Sequence, residues 1–113
     1  MRAITLILIA LLGLCGPGRA NDLSDIRAIR STAAEAAEIL DLENQQKVTA
    51  TYATVMKNQA CSLLRNTVES AGSQQIKHLA QQAIDAVKAN DSAALKRLVQ
   101  QLYEMEGPHG RAD

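Results

Sequence analysis

Apolar residues between Arg19 and Ala71 recur every three or four positions, and no glycine or proline interrupts this stretch. This spacing, in a segment rich in Ala, Gln, Glu and Leu, predicts α-helix rather than β-strand. A first helix is expected to begin with Asp22 or Ser24 as its N-cap. Its apolar stripe consists of Ile26, Ile29, Ala33, Ala36 and Leu40.

A second apolar stripe lies further along the same stretch. It consists of Val48, Tyr52, Val55, Met56, Ala60, Leu63, Leu64 and Val68. At about 100° per residue, the centres of the two stripes differ by well over 100° on one continuous helix. Because a straight helix would then have to bury two faces, we predict a break between Asp41 and Asn44, with one of these two residues capping the second helix.

Two turns are predicted in the second half of the chain. Gly72 suits the left-handed position after a helix and Ser73 suits the N-cap of the next one, whereas Asn90 and Asp91 form a turn in which Asp91 is the cap. Gly107-Pro108 is expected to end the last helix. The third and fourth helices have apolar faces made of Ile76, Leu79, Ala80, Ala83, Ile84 and Val87, and of Leu95, Leu98, Val99, Leu102 and Met105.

These elements predict an all-α protein, a small antiparallel bundle of three to four amphipathic helices that follows a cleavable signal peptide. The predicted divisions are a signal peptide at residues 1–20, one helical domain at 21–106 and a flexible C-terminal tail at 107–113. Short turns between amphipathic segments favour antiparallel packing of neighbouring helices.

The signal peptide is predicted from the first twenty residues. Arg2 gives a positive start, residues 3–14 are nearly all aliphatic, and Gly18 and Ala20 provide small residues before a cleavage site. Twelve apolar residues form a helix of roughly 18 Å, too short for a hydrocarbon core of about 30 Å. We therefore expect an exported protein with no membrane span in its mature part. A periplasmic location is favoured, and an extracellular one stays open.

Cys15 suggests an alternative, lipid attachment to a new N-terminal cysteine. A small residue normally stands directly before such a cysteine, and here the position is occupied by Leu14. Cleavage after Ala20 is therefore preferred over cleavage before Cys15.

Charge and composition exclude some partners. The chain has 12 basic and 12 acidic side chains, and Arg2 and Arg19 leave with the signal, so the mature part carries a net charge of −2. Because the charges are interspersed, the sequence gives no reason to expect nucleic-acid binding. With no Trp or Phe, the core must be built from aliphatic residues and alanine.

Cys61 is the single cysteine of the predicted mature protein, so no internal disulfide can form. It lies beside the second apolar stripe, where a small hydrophobic core residue is expected. The alternative is an intermolecular disulfide, with a second copy or with a partner, in an oxidising compartment.

The sequence offers little for catalysis or metal binding. His78 has no Cys, Asp or Glu three or four residues away, and His109 follows Glu104 and Glu106 across Gly107-Pro108 in the predicted tail. No nucleophile elbow or phosphate-binding glycine loop occurs. We therefore predict a non-enzymatic protein without a metal or cofactor.

Two functions are compatible with this description. The first is protein–protein interaction, as an adaptor, chaperone-like or inhibitor-like module or through self-association. An apolar stripe left partly uncovered would be the interface, and the candidate residues are Tyr52, Met56 and Tyr103, for which ordinary core positions are the alternative. The second function is a small helical carrier that binds an apolar ligand or lipid between its helices, although no convergent polar group is evident to orient such a ligand.

Overall fold

Four α-helices follow one another along the chain. The computed structural model describes the backbone of residues 17–111 and the side chains of residues 22–106. Its helices are α1 (Pro17–Asn44), α2 (Ala50–Ser70), α3 (Gln74–Lys88) and α4 (Ser92–Arg111). Residues 17–111 contain no strand, and the four helices pack into one globule. The all-helical prediction is confirmed. Residues 1–16, which make up most of the predicted signal peptide, lie outside the described part.

The beginning of α1 differs from the sequence prediction. We expected the helix to start at Asp22 or Ser24, but the backbone is already helical at Pro17, the first residue that the structure describes. The helix therefore includes residues 17–20, the last four of the predicted signal peptide.

The predicted break after the first stripe is confirmed, and its cap is corrected. The helix α1 ends at Asn44, and Gln46 follows in the left-handed region with φ 60°. Thr49, rather than Asp41 or Asn44, is the N-cap of α2, since its hydroxyl accepts a hydrogen bond from the Tyr52 backbone N–H at 3.0 Å.

The two later turns use the predicted N-caps. Ser73 Oγ accepts from the Ile76 N–H, and an Asp91 carboxylate oxygen accepts from the Ala94 N–H at 3.0 Å. Asn90 adopts φ 56° in the second turn, which asparagine tolerates better than most residues. The prediction for Gly72 was wrong: α2 ends in an extended Ala71, and Gly72 does not take the left-handed conformation.

The core is aliphatic and rich in alanine, as composition predicts. Every residue of the first predicted stripe is buried, and so is every residue of the predicted α3 face. In α4, Leu95, Leu98 and Leu102 are buried, and Val99 and Met105 pack partly buried against them. These three stripes were therefore assigned correctly from their spacing.

Polar contacts show that α1 and α4 run in opposite directions. Asp41, near the end of α1, accepts a 2.7 Å hydrogen bond from Ser92 at the beginning of α4. Arg30, in the first half of α1, donates to Glu106 near the end of α4. Contacts at both ends therefore fix the register of the two helices.

The end of α4 also differs from the prediction. The helix continues through Gly107 and Pro108 to Arg111, although Pro108 cannot donate the backbone bond that its position in the helix requires. Glu106, directly before these residues, is held by arginines of α1, which keeps the preceding turn in place.

Candidate functional site

The helix α2 has two apolar faces that point in different directions. Its inward face is formed by Ala53, Ala60, Cys61 and Leu64, which are buried. The larger side chains Tyr52, Val55 and Leu63 are exposed, and Met56 is half-buried. The predicted second stripe had merged these two faces. Leu63 and Leu64 show the difference, because consecutive residues on a helix lie about 100° apart.

We call Tyr52, Val55, Met56, Gln59 and Leu63 the α2 outer face. These residues follow a spacing of three and four, so they form one row along the helix. The exposed fractions are 48% for Tyr52, 58% for Val55 and 51% for Leu63. Large apolar side chains are thus presented to solvent on one side of a helix whose other side is already packed.

A groove between α1 and α2 borders this face. Met56, Gln59 and Leu63 form its α2 wall, and Thr32, Glu35 and Ile39 form its α1 wall. Ala36 and Ala60 also line the groove, which has a volume of about 190 Å³. Because both alanines are small and buried, a side chain from another molecule could enter between the two helices.

Charged groups are scarce on α2. Between Ala50 and Asn66 the charged residues are Lys57 and Arg65. Lys57 Nζ lies 3.1 Å from Glu43 Oε1 and 3.0 Å from Asn90 Oδ1, which directs it away from the outer face. The exposed uncharged polar residues around the face are Thr51, Thr54, Asn58, Ser62 and Asn66, and Gln59 lies within it. The outer face is therefore apolar apart from Gln59, with a neutral surround interrupted by Glu35 on α1 and by the exposed Arg65 on α2.

Of the three interface candidates predicted from sequence, Tyr52 and Met56 lie on the α2 outer face. Tyr103 lies on α4 and is 40% exposed. Its ring is covered by the Arg30 guanidinium at 4.3 Å from the ring centroid, a cation–π contact within the chain. The structure thus separates Tyr103 from the other two residues and gives it an intramolecular partner.

Cys61 is buried in the core between the helices. It also lines a second groove, of about 400 Å³, together with Lys57, Arg65 and Lys88. A disulfide with a second copy or a partner would require this buried sulfur to come to the surface. The intermolecular disulfide stays a prediction.

Within the part of the chain whose side chains are described, no group of three or more His, Cys, Asp or Glu residues could hold a metal ion. His78 is exposed on α3, and the side chain of His109 lies outside that part. The search for a membrane-spanning helix among the described residues likewise found no helix that is both long and apolar enough.

Sequence reasoning missed two apolar residues of the outer face as candidates, Val55 and Leu63. Both belonged to the predicted buried stripe. A second row of residues in the sequence could have identified them. Ala53, Ala60 and Leu64 each follow a residue of the outer face by one position, and their spacing is compatible with close packing between helices.

Comparisons with protein-family models, with curated proteins and with solved structures give no match.

Proposed function

We propose that the protein acts by binding another protein through the α2 outer face, as an adaptor, chaperone-like or inhibitor-like module. The observation that carries this proposal is the exposure of Tyr52, Val55 and Leu63 on a helix whose opposite face is buried. Large contiguous apolar patches on a protein surface often mark sites of protein–protein interaction.

The neutral surround supports the same proposal. The centres of protein interfaces are depleted of charged residues and enriched in aromatic residues and methionine. Tyr52 and Met56 fit that composition, and the groove beside Ile39 offers a place for an anchoring side chain. The proposed activity is non-enzymatic and requires no cofactor.

The proposal includes export. Residues 1–20 have the composition of a cleavable signal, and the functional form is then the helical domain that begins at residue 21. The bundle carries its interaction face outside the cytoplasm, most simply in a bacterial periplasm.

Site-specific photo-crosslinking in cells that produce the protein tests this function. A photoreactive amino acid is placed at Val55, at Leu63 or, as a control on another helix, at the exposed His78. We expect a defined protein adduct from positions 55 and 63 and none from position 78. Equal adducts from all three positions, or none from 55 and 63, would contradict the proposal.

A second pair of variants separates binding from folding. Leu63→Glu should abolish the adduct formed from position 55, because it places a charge in the centre of the interface. Asn58→Glu, an exposed position of α2 outside the outer face, should leave the adduct unchanged. Far-UV circular dichroism of both variants checks that the helices are retained.

A further inference from the structure

We infer that the groove between α2 and α3 that contains Cys61 binds a small organic phosphate, a phosphate monoester. The groove has a volume of about 400 Å³, which is within the range of roughly 300–1,000 Å³ found for small-molecule sites. Cys61 follows Gln59 by two residues, about 200° around the helix, so this groove lies on a different side of α2 from the outer face. The inference therefore goes beyond the proposed protein–protein contact.

The charged side chains that line this groove are all positive. They are Lys57 and Arg65 on α2 and Lys88 on α3, and no acidic side chain of the described residues joins them. Three other grooves on the described surface each contain at least one acidic side chain. Because the predicted mature part has a net charge of −2, three cations around one groove depart from the overall charge of the chain. This concentration of positive charge favours an anionic ligand.

Two of the three cations have no acid of their own. Lys57 Nζ pairs with Glu43 Oε1 at 3.1 Å, whereas Arg65 and Lys88 form no ion pair within the part of the chain whose side chains are described. Three cations and one acid leave an excess of two positive charges. A phosphate monoester carries a charge of about −1.5 to −2 at pH 7 and matches this excess more closely than a carboxylate, which carries one negative charge.

Hydrogen-bond donors are also available in the groove. Lys57 Nζ donates to Asn90 Oδ1 at 3.0 Å. This contact occupies the carbonyl oxygen of Asn90, which also lines the groove, and leaves its NH₂ group free to donate to a ligand. The planar guanidinium of Arg65 can donate to two phosphate oxygens at once. The cations and the amide together can therefore hold a phosphate group.

The deeper part of the groove is apolar. Cys61 is 9% exposed and Val87 is 2% exposed. Lys57 and Arg65 lie eight residues apart on α2, about 12 Å along its axis, and Cys61 lies midway between them. A groove of this length exceeds what a phosphate group alone would fill. An organic group attached to the phosphate would pack against Cys61 and Val87.

An NMR titration with phenyl phosphate tests this site in protein purified from cells that express the full chain. The backbone amide signals of Cys61, Arg65 and Lys88 should shift to saturation. Arg65→Gln should weaken binding about tenfold, because it removes a charge-assisted pair of hydrogen bonds. Arg97→Gln removes the same charge at an exposed position of α4 and should leave the affinity unchanged. Far-UV circular dichroism checks that both variants keep their helices.

Two further probes separate the parts of the ligand. Benzoate keeps the ring but has one negative charge, and inorganic phosphate lacks the ring, so both should bind more weakly than phenyl phosphate. Equal binding of benzoate overturns the phosphate assignment, and equal binding of inorganic phosphate overturns the organic group.

The groove itself is overturned as a site by the absence of a saturable shift or by an unchanged affinity in Arg65→Gln. An equal loss of affinity in Arg97→Gln has the same meaning, because binding would then follow the overall charge of the chain. These results are independent of the adducts expected from positions 55 and 63, which test the other side of α2.

Discussion

Glu106 is the one charged residue that is buried among the described side chains, and its side chain is only 1% exposed. It is compensated by Arg30, which donates to its Oε2, and by Arg27, whose Nε lies 3.6 Å from Oε1. Arg30 also covers Tyr103, so one guanidinium connects two residues of α4 to α1. A buried carboxylate is tolerated when it is paired in this way.

Removing the charge of Glu106 should therefore destabilise the fold. We expect Glu106→Gln to lower the free energy of unfolding by about 1–3 kcal/mol, because hydrogen bonds to charged groups contribute in this range and the arginines remain partly exposed. Glu104→Gln, at an exposed position of the same helix, should change it by less than about 0.5 kcal/mol. Urea unfolding measures both. Equal effects from the two variants would show that the pairing does not hold α4 to α1.

Asp41 makes the stability of the fold depend on pH in the acid range. The hydrogen bond from Lys96, followed by the one from Ser92, holds the pKa of this carboxyl below its ordinary value of 3.8. The folded protein then binds this proton less readily than the unfolded chain does. The pairing therefore stabilises the fold above pH 3.8, and this contribution is lost as the pH falls through the lower pKa of the folded state.

An NMR titration of the Asp41 carboxyl should give a midpoint below 3.8 in the native chain and a higher one in Lys96→Ala, which removes the main cause. Lys88→Ala, at an exposed lysine elsewhere, should leave the midpoint unchanged. An unshifted midpoint in the native chain would mean that the contacts of α1 with Lys96 and Ser92 do not persist in solution.

At the scale of the element, α2 shows how small residues decide which face is buried. Ala53 is fully buried and Ala60 nearly so, and side chains of this size let neighbouring helices approach closely. Tyr52 and Val55 lie outside that contact. The size of the side chains, in addition to their hydrophobicity, therefore determines the orientation of the helix.

Enlarging a residue of the inward face should test this packing. Ala53→Leu is expected to lower the free energy of unfolding by about 1–3 kcal/mol, because added methylene groups in a filled core force side chains and backbone to shift. Thr54→Leu, at the adjacent exposed position, should stay within about 0.5 kcal/mol of the native value. A tolerated Ala53→Leu would indicate that α2 is rotated about its axis relative to the orientation described.

Sequence reasoning succeeded for elements with one clear apolar face. In α3, Ile76, Leu79 and Val87 share one side, and all three are buried as predicted. It failed for α2 because Leu63 and Leu64 are adjacent and equally hydrophobic, and spacing alone cannot choose between them. That choice depends on the fit against other helices, which is a tertiary property.

At the scale of the whole molecule, α2 packs against α3 and α1, and among the described residues its outer face has no internal partner. Sequence predicted that one apolar stripe of such a small bundle would be partly uncovered, but it could not identify the side chains. Tyr52 and Met56 were among the predicted candidates, whereas Tyr103 lies on another helix beneath Arg30. The proposed function follows from this arrangement of the helices.

The most direct test of this account compares Leu63→Glu with Leu64→Glu, two adjacent leucines given the same charge. Leu64 is 1% exposed and Leu63 is 51% exposed. Burying an unpaired carboxylate is strongly unfavourable, so Leu64→Glu should lose the cooperative unfolding transition in urea, whereas Leu63→Glu should keep it together with native far-UV circular dichroism. Loss of the folded state in both variants would contradict the account, because Leu63 would then belong to the core.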